Sequence, residues 1–296
     1  MENIALIDVD SKIPNIALMK LSAWHKARGD KVGWWCGQLF NGYYDKAYAS
    51  KIFDFSQMPE GMPENVEIGG SGYDLKKSLP PAIERLCPDY DLYPDCDYSL
   101  GFLTRGCSRK CPYCIVPQKE GSIKIHQKWE TFRNPNGKYW VFLDNNILAF
   151  KGAADILAGI IEDKLEIDFN QGMDIRLVTP SIAGLLSRIK WKRFLRFAFD
   201  RICLEESIPG KVEILERSGI KSYRLLFYVL IGYDTSPEED MERVELLRRL
   251  NAESFVMPYD KSDPYQKNFS RWVNHKAIFK SVKWEDYSNK QKTRKR

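Results

Sequence analysis

Apolar residues in this chain fall in short runs separated by amphipathic stretches, a rhythm that predicts strands alternating with helices. The run Ile4-Ala5-Leu6-Ile7-Asp8-Val9 is nearly continuous rather than alternating, as suits a parallel strand covered on both faces. After Pro14-Asn15, the residues Ala17, Leu18, Leu21 and Trp24 share one helical face, and the pattern stops at Gly29-Asp30. Residues 31–36 (KVGWWC) predict a second strand, 51–55 a third and 66–68 a fourth, ending at Gly69-Gly70-Ser71-Gly72. Such alternation implies a parallel sheet with crossover connections.

A stretch rich in proline, aspartate and tyrosine follows, from Leu79-Pro80-Pro81 through CPDYDLYPDCDY, and reads as a linker. From Tyr98 the strand–helix rhythm resumes, with strands predicted at 98–103, 139–143, 166–169, 194–199, 225–231 and 254–257. Helical patterns lie between them, for example 153–162, 179–189 and 238–250. The last opens with Ser236 as a cap, Pro237 at the first helical position and three acids in the first turn. The expected fold class is α/β, with a Rossmann-like unit over 1–90, a partial (β/α)6 barrel over 91–285 and a basic tail over 286–296.

Composition changes this picture little. The 296 residues are 44% hydrophobic, enough for a substantial core, and no apolar run approaches the roughly 20 residues that span a bilayer. No charged-then-apolar leader opens the chain, so a soluble cytoplasmic protein without a membrane partner is expected. The net charge of +5 is mild; much of it sits in the tail, at Lys290, Lys292, Arg294, Lys295 and Arg296. That tail reads either as a solvated end or as a contact to nucleic acid.

The chemistry concentrates in GFLTRGCSRKCPYC, where Cys107, Cys111 and Cys114 stand in C-x3-C-x2-C spacing. Three thiolates on one loop, with no second Cys pair downstream, do not make the four-ligand set of a structural zinc site. An odd total of seven cysteines in a chain with no secretory mark also argues against a disulfide framework. A 4Fe-4S cluster held by three thiolates keeps one iron open for chemistry. The spacing, with Tyr113 before the last cysteine, resembles the signature of the radical S-adenosylmethionine (radical SAM) enzymes.

That resemblance implies a partial TIM barrel with the cysteine loop after its first strand, a 4Fe-4S cluster, and S-adenosylmethionine bound at the open iron. It implies cofactor contacts from Tyr113 to the adenine, from Asp144 or Asn145 to the amino group, from Arg176 to the carboxylate and at Gly232 beside the adenosine. It also implies an external flavodoxin- or ferredoxin-like electron donor and a small-molecule or macromolecular substrate that the residues do not name. Glu120-Gly121, Tyr233, Tyr259 and Asp260 are candidate substrate contacts at strand ends. Cys203 reads as a packing cysteine ahead of a hydrogen donor, and Phe269, Trp272, Phe279 and Trp284 read as a closing or stacking stretch.

The N-terminal unit resembles the cobalamin-binding domain that precedes some radical SAM barrels, with Gly69-Gly70 at its glycine turn. Its D-x-H-x-x-G loop is absent: the segment here is DVDSKIPN, without a histidine for cobalt. Cobalamin, with C-methylation as its chemistry, therefore stands beside a purely architectural or substrate-binding role for this unit. Cys36, Cys87 and Cys96 are too widely spaced to resemble the second cluster site of methylthiotransferases, and read as ordinary semi-buried cysteines. A nucleic-acid-modifying (tRNA) enzyme and a non-catalytic iron–sulfur protein are the alternatives.

Overall fold

A computed structural model describes residues 1–287. The tail lysines and arginines from Lys290 on lie outside the described residues. The chain divides into two compact units, Met1–Leu143 and Asp144 onward. Both are built from parallel strands and helices, so the expected α/β class holds.

The first unit opens with β1 (Asn3–Asp8), α1 (Ile16–Ala27), β2 (Lys31–Trp34), β3 (Lys46–Ser50) and β4 (Val66–Gly69). All four strands run parallel in the order β2-β1-β3-β4. Central β1 has Ile4, Ala5, Leu6 and Ile7 all buried, which is why its hydrophobic run is unbroken. Asn15 caps α1 by accepting from the Leu18 N–H at 3.2 Å, and its amide donates to Ser50 Oγ at 2.8 Å. Leu18 and Leu21 then pack with Ile4, Leu6, Tyr48 and Ile83. At the far end of α1, His25 bonds Asp30 through Nδ1 (2.8 Å) and the Tyr48 hydroxyl through Nε2 (3.0 Å).

The third strand lies five residues before the predicted position, at 46–50 instead of 51–55. In KAYAS, alanine suits a central strand between close neighbours, but its hydrophobic signal is weaker than that of KIFDF. The Asp10 carboxylate accepts from the Ile52 and Phe53 N–H groups at 2.7 and 2.9 Å, and so claims that later segment as a turn.

The rest of this unit comprises α2 (Pro81–Glu84), β5 (Tyr98–Gly101), β6 (Thr104–Arg105), α3 (Val116–Lys119), β7 (Lys124–Ile125) and β8 (Tyr139–Phe142). β5 and β8 pair in parallel, while β6 and β7 form a short antiparallel pair.

The second unit runs α4 (Ala153–Glu162), β9 (Glu166–Phe169), α5 (Pro180–Arg188), β10 (Lys190–Trp191), β11 (Leu195–Ala198), α6 (Ser207–Arg217), β12 (Leu225–Ile231), α7 (Pro237–Arg249), β13 (Glu253–Pro258), α8 (Pro264–Asn274) and α9 (Lys276–Ser281). β9 pairs with β10, and β11, β12 and β13 form a parallel sheet in chain order. The predicted Ser236 cap is present and closes a full capping box: Ser236 Oγ accepts from the Glu239 N–H, and the Glu239 carboxylate accepts from the Ser236 N–H. Asn274 fixes α8 along β13 by exchanging hydrogen bonds with the Val256 backbone. The C-terminal aromatics pack into one another, with Trp272 4.8 Å from Phe279 and Phe269 5.2 Å from Trp284. Phe269 and Trp272 are buried in this cluster, so they are core and do not form a stacking platform for a substrate.

Candidate functional site

The three cysteines sit on a loop closed at its neck by the β6–β7 pair, in which Thr104 faces Ile125 and Arg105 faces Lys124. Backbone bonds from the His126 N–H to the Leu103 carbonyl (2.8 Å) and from the Cys107 N–H to the Gly121 carbonyl (3.1 Å) tighten that neck. Gly106 is required there. Its φ is +86°, and a β-carbon would stand 2.5–2.7 Å from the carbonyl oxygens of Ser122 and Gly121.

Inside the loop, the Cys114 N–H donates to the Cys111 carbonyl at 3.0 Å, so Pro112 and Tyr113 form a tight turn between two thiols. The Arg109 N–H points at Cys107 Sγ, 3.4 Å away. All three thiols are half-buried and none is in a disulfide. The donor set fits a three-thiolate iron–sulfur cluster.

Side chains reinforce the neck. Glu120 accepts from the Gly106 N–H through one oxygen (2.8 Å) and pairs with Arg105 through the other (2.9 Å). The Arg105 guanidinium lies 4.0 Å over the Phe102 ring and 3.8 Å from Glu84. Glu84 also meets Lys20 at 3.2 Å and His126 at 3.3 Å. Burial pushes the Glu84 carboxyl up, but His126, Lys20 and Arg105 more than offset it and hold it at about 2. Lys20 is itself buried, which pulls its ammonium below the ordinary lysine value. Glu120, a candidate substrate contact by sequence, thus has a structural task within the loop.

From α3, Lys119 reaches the hydroxyl of Ser71, just beyond β4. Around that point the glycines are needed by the chain itself. A β-carbon on Gly70 would meet the Lys51 carbonyl at 2.1 Å, and the Gly72 N–H donates to that same carbonyl at 3.0 Å. The loop after β1 is likewise filled from within, as Asp8 accepts from the Ser11 N–H and the Tyr93 hydroxyl. A nearby groove of about 310 Å³, lined by Pro14, Leu92, Tyr93, Asp95, Cys96 and Tyr98, is at the small end of the range for drug-sized ligands.

In the second unit, Asp144 and Asn146 are buried and Asn145 is half-buried. Asn146 Oδ1 accepts from the Asp174 N–H at 3.2 Å, and Asp174 in turn holds Arg176 by a fork at 2.7 and 2.9 Å. Asn146, Asp174 and Arg176 therefore form one group, anchored by the 3-10 turn Ile175–Leu177. Beside Gly232, the Gln266 side chain fills the space a β-carbon would need, and its Oε1 accepts from the Asp260 N–H at 2.9 Å. Tyr233 and Tyr259 meet edge to face at 4.9 Å. Cys203 is exposed on the turn Ile202–Leu204.

A set of residues the sequence reading passed over lies on alternate positions of β9, β11 and β12. Asp168 pairs with Arg196, and the Tyr228 hydroxyl donates to the Asn170 carbonyl at 2.8 Å while its ring meets Phe255 edge to face. The opposite face of the same strands, Ile167, Phe169, Leu195, Phe197, Phe227 and Val229, is fully buried and apolar. The signal was present as charge at one parity in EIDF and LRFA, in phase with the tyrosine of LLFYVLI.

The chain matches no protein-family model and no curated protein sequence.

Proposed function

We propose that this protein is a radical SAM enzyme, and the observation that carries the proposal is the Cys107–Cys111–Cys114 loop. Three half-buried thiols, a backbone N–H aimed at one sulfur, and a neck closed by paired strands just after β5 support a loop that could hold a three-thiolate 4Fe-4S cluster. When bound, such a cluster supplies the electron that splits S-adenosylmethionine into methionine and a 5′-deoxyadenosyl radical, which takes hydrogen from an unreactive C–H bond. The chain's own residues ligate, orient and exclude water. Tyr113, Asp144, Asn145 and Gly232 are the proposed contacts to S-adenosylmethionine. Arg176, whose guanidinium lies on Asp174, would exchange that partner for the cosubstrate's carboxylate.

The fold belonging to this reading is a partial (β/α)6 barrel preceded by a Rossmann-like module. The parallel order β2-β1-β3-β4 supports the module, since a doubly wound sheet places its first four strands in that order. An architectural role for the module is favoured over cobalamin binding. The glycines after β4 serve the Lys51 backbone, and the loop after β1 offers no histidine. A cytoplasmic location and a flavodoxin- or ferredoxin-like donor complete the proposal.

The test is 5′-deoxyadenosine formation by anaerobically reconstituted protein given S-adenosylmethionine and a strong reductant, with Cys114→Ala alongside. Cleavage by the wild type and none by the variant supports the class. A chain that takes up zinc without sulfide, or no metal at all, refutes it. A full cluster with no cleavage, with or without candidate substrates, would point to a non-catalytic iron–sulfur protein.

A further inference from the structure

We propose that Glu120 is a positioning residue for the cluster, pinning the neck of the cysteine loop and cancelling the fixed charge of Arg105 beside it. This inference rests on the iron–sulfur reading above. Arg105 stands two residues before Cys107, stacked on Phe102 and only about one-fifth exposed, so it is a cation held in place rather than a solvated side chain. One Glu120 oxygen takes the Arg105 guanidinium at 2.9 Å, and the other takes the N–H of Gly106, the residue preceding the first ligand. The next residue, Gly121, accepts from the N–H of Cys107 itself. A single acidic side chain thus ties the end of the loop to its beginning and lowers the positive field at the same point.

The field has a direct consequence. A cation near an iron–sulfur cluster favours the more negative, reduced form and raises its reduction potential, and a paired carboxylate offsets that. Glu84, at 3.8 Å from Arg105, is a weaker partner and is already shared with Lys20 and His126. Removing the charge of Glu120 while keeping its shape therefore leaves Arg105 undercompensated without opening the loop.

The experiment uses the full chain, reconstituted anaerobically with iron and sulfide, and reads iron and sulfide per chain together with the midpoint potential from an EPR-monitored redox titration. Glu120→Gln retains an acceptor for the Gly106 N–H, so it should load as fully as the wild type but show a raised potential. Adding Arg105→Gln to that variant should bring the potential back toward the wild-type value, and Glu120→Asp should hold it near there. Glu120→Ala, without the acceptor, should lose most of its cluster occupancy. If the wild type loads and both Glu120→Gln and Glu120→Ala match it in occupancy and potential, the role of Glu120 is overturned and the iron–sulfur reading stands. If the wild type takes up no iron and sulfide, the reading falls and this role falls with it.

Discussion

The cysteine loop and the Asp168–Arg196–Tyr228 face are both held by polar side chains, yet they are assembled in opposite ways. The loop is closed by partners close in sequence: Glu120 reaches Gly106 across 14 positions, and β7 follows β6 directly around the loop. The polar face joins three separate strands, and its Tyr228–Asn170 bond spans 58 positions. A local device survives changes elsewhere so long as its neck holds. One built by strand register depends on the packing of the whole sheet, because one residue of slip turns every side chain to the other face.

Several substitutions sharpen this contrast, beginning with the most drastic. Cys114→Ala removes one of the three proposed ligands and should abolish cluster binding while leaving thermal unfolding of the metal-free protein nearly unchanged. Iron analysis and calorimetry check the two halves. In the second unit, Arg243 and Asp240 form a fully buried pair at 2.6 Å, with Arg243 also donating to the Phe199 carbonyl at 3.0 Å. Arg243→Met strands the carboxylate in the core and should cost about 3–5 kcal/mol in urea unfolding. A loss below about 1 kcal/mol would show that Asp240 finds protons or water readily.

Next in size is the pH dependence carried by Glu84. Its carboxyl is held at about 2 in the folded protein against an ordinary 4.5, so its contribution is complete above pH 4.5 and is lost as pH falls from there toward 2. With about a quarter of the side chain exposed, solvent screening leaves this contribution at roughly 2 kcal/mol. Glu84→Gln should flatten that part of the stability–pH curve, and an unchanged acid limb would mean the carboxylate is not held by Lys20, Arg105 and His126. The smallest effect expected is at a helix start. Thr179 accepts from the Ile182 N–H at 3.2 Å as the cap of α5, and Thr179→Ala should lower stability by about 1 kcal/mol.

Much of the framework was legible in the sequence. The hydrophobic rhythm placed α4, β9 and β12 at their observed bounds and the capping residues at the start of α7. The cysteine spacing marked the loop. The third strand was not legible, because its alanines signal weakly and the stronger apolar run after it is claimed by Asp10, some forty positions earlier. The same limit hid the partners of Arg176 and Gly232, since neither the fork onto Asp174 nor the Gln266 side chain is visible as periodicity.

By itself, then, the sequence determined the alternating elements, the α/β class and the three-cysteine loop, all of which are written in residues within a few turns of chain. Only the tertiary structure decided that Glu120 closes that loop instead of facing a substrate, that Gly70 serves the Lys51 backbone, and that Asp168, Arg196 and Tyr228 share a face. The reason is physical. Backbone propensity and hydrophobic period act locally, whereas hydrogen bonds and buried charges take whatever partner the packed chain brings within about 3 Å.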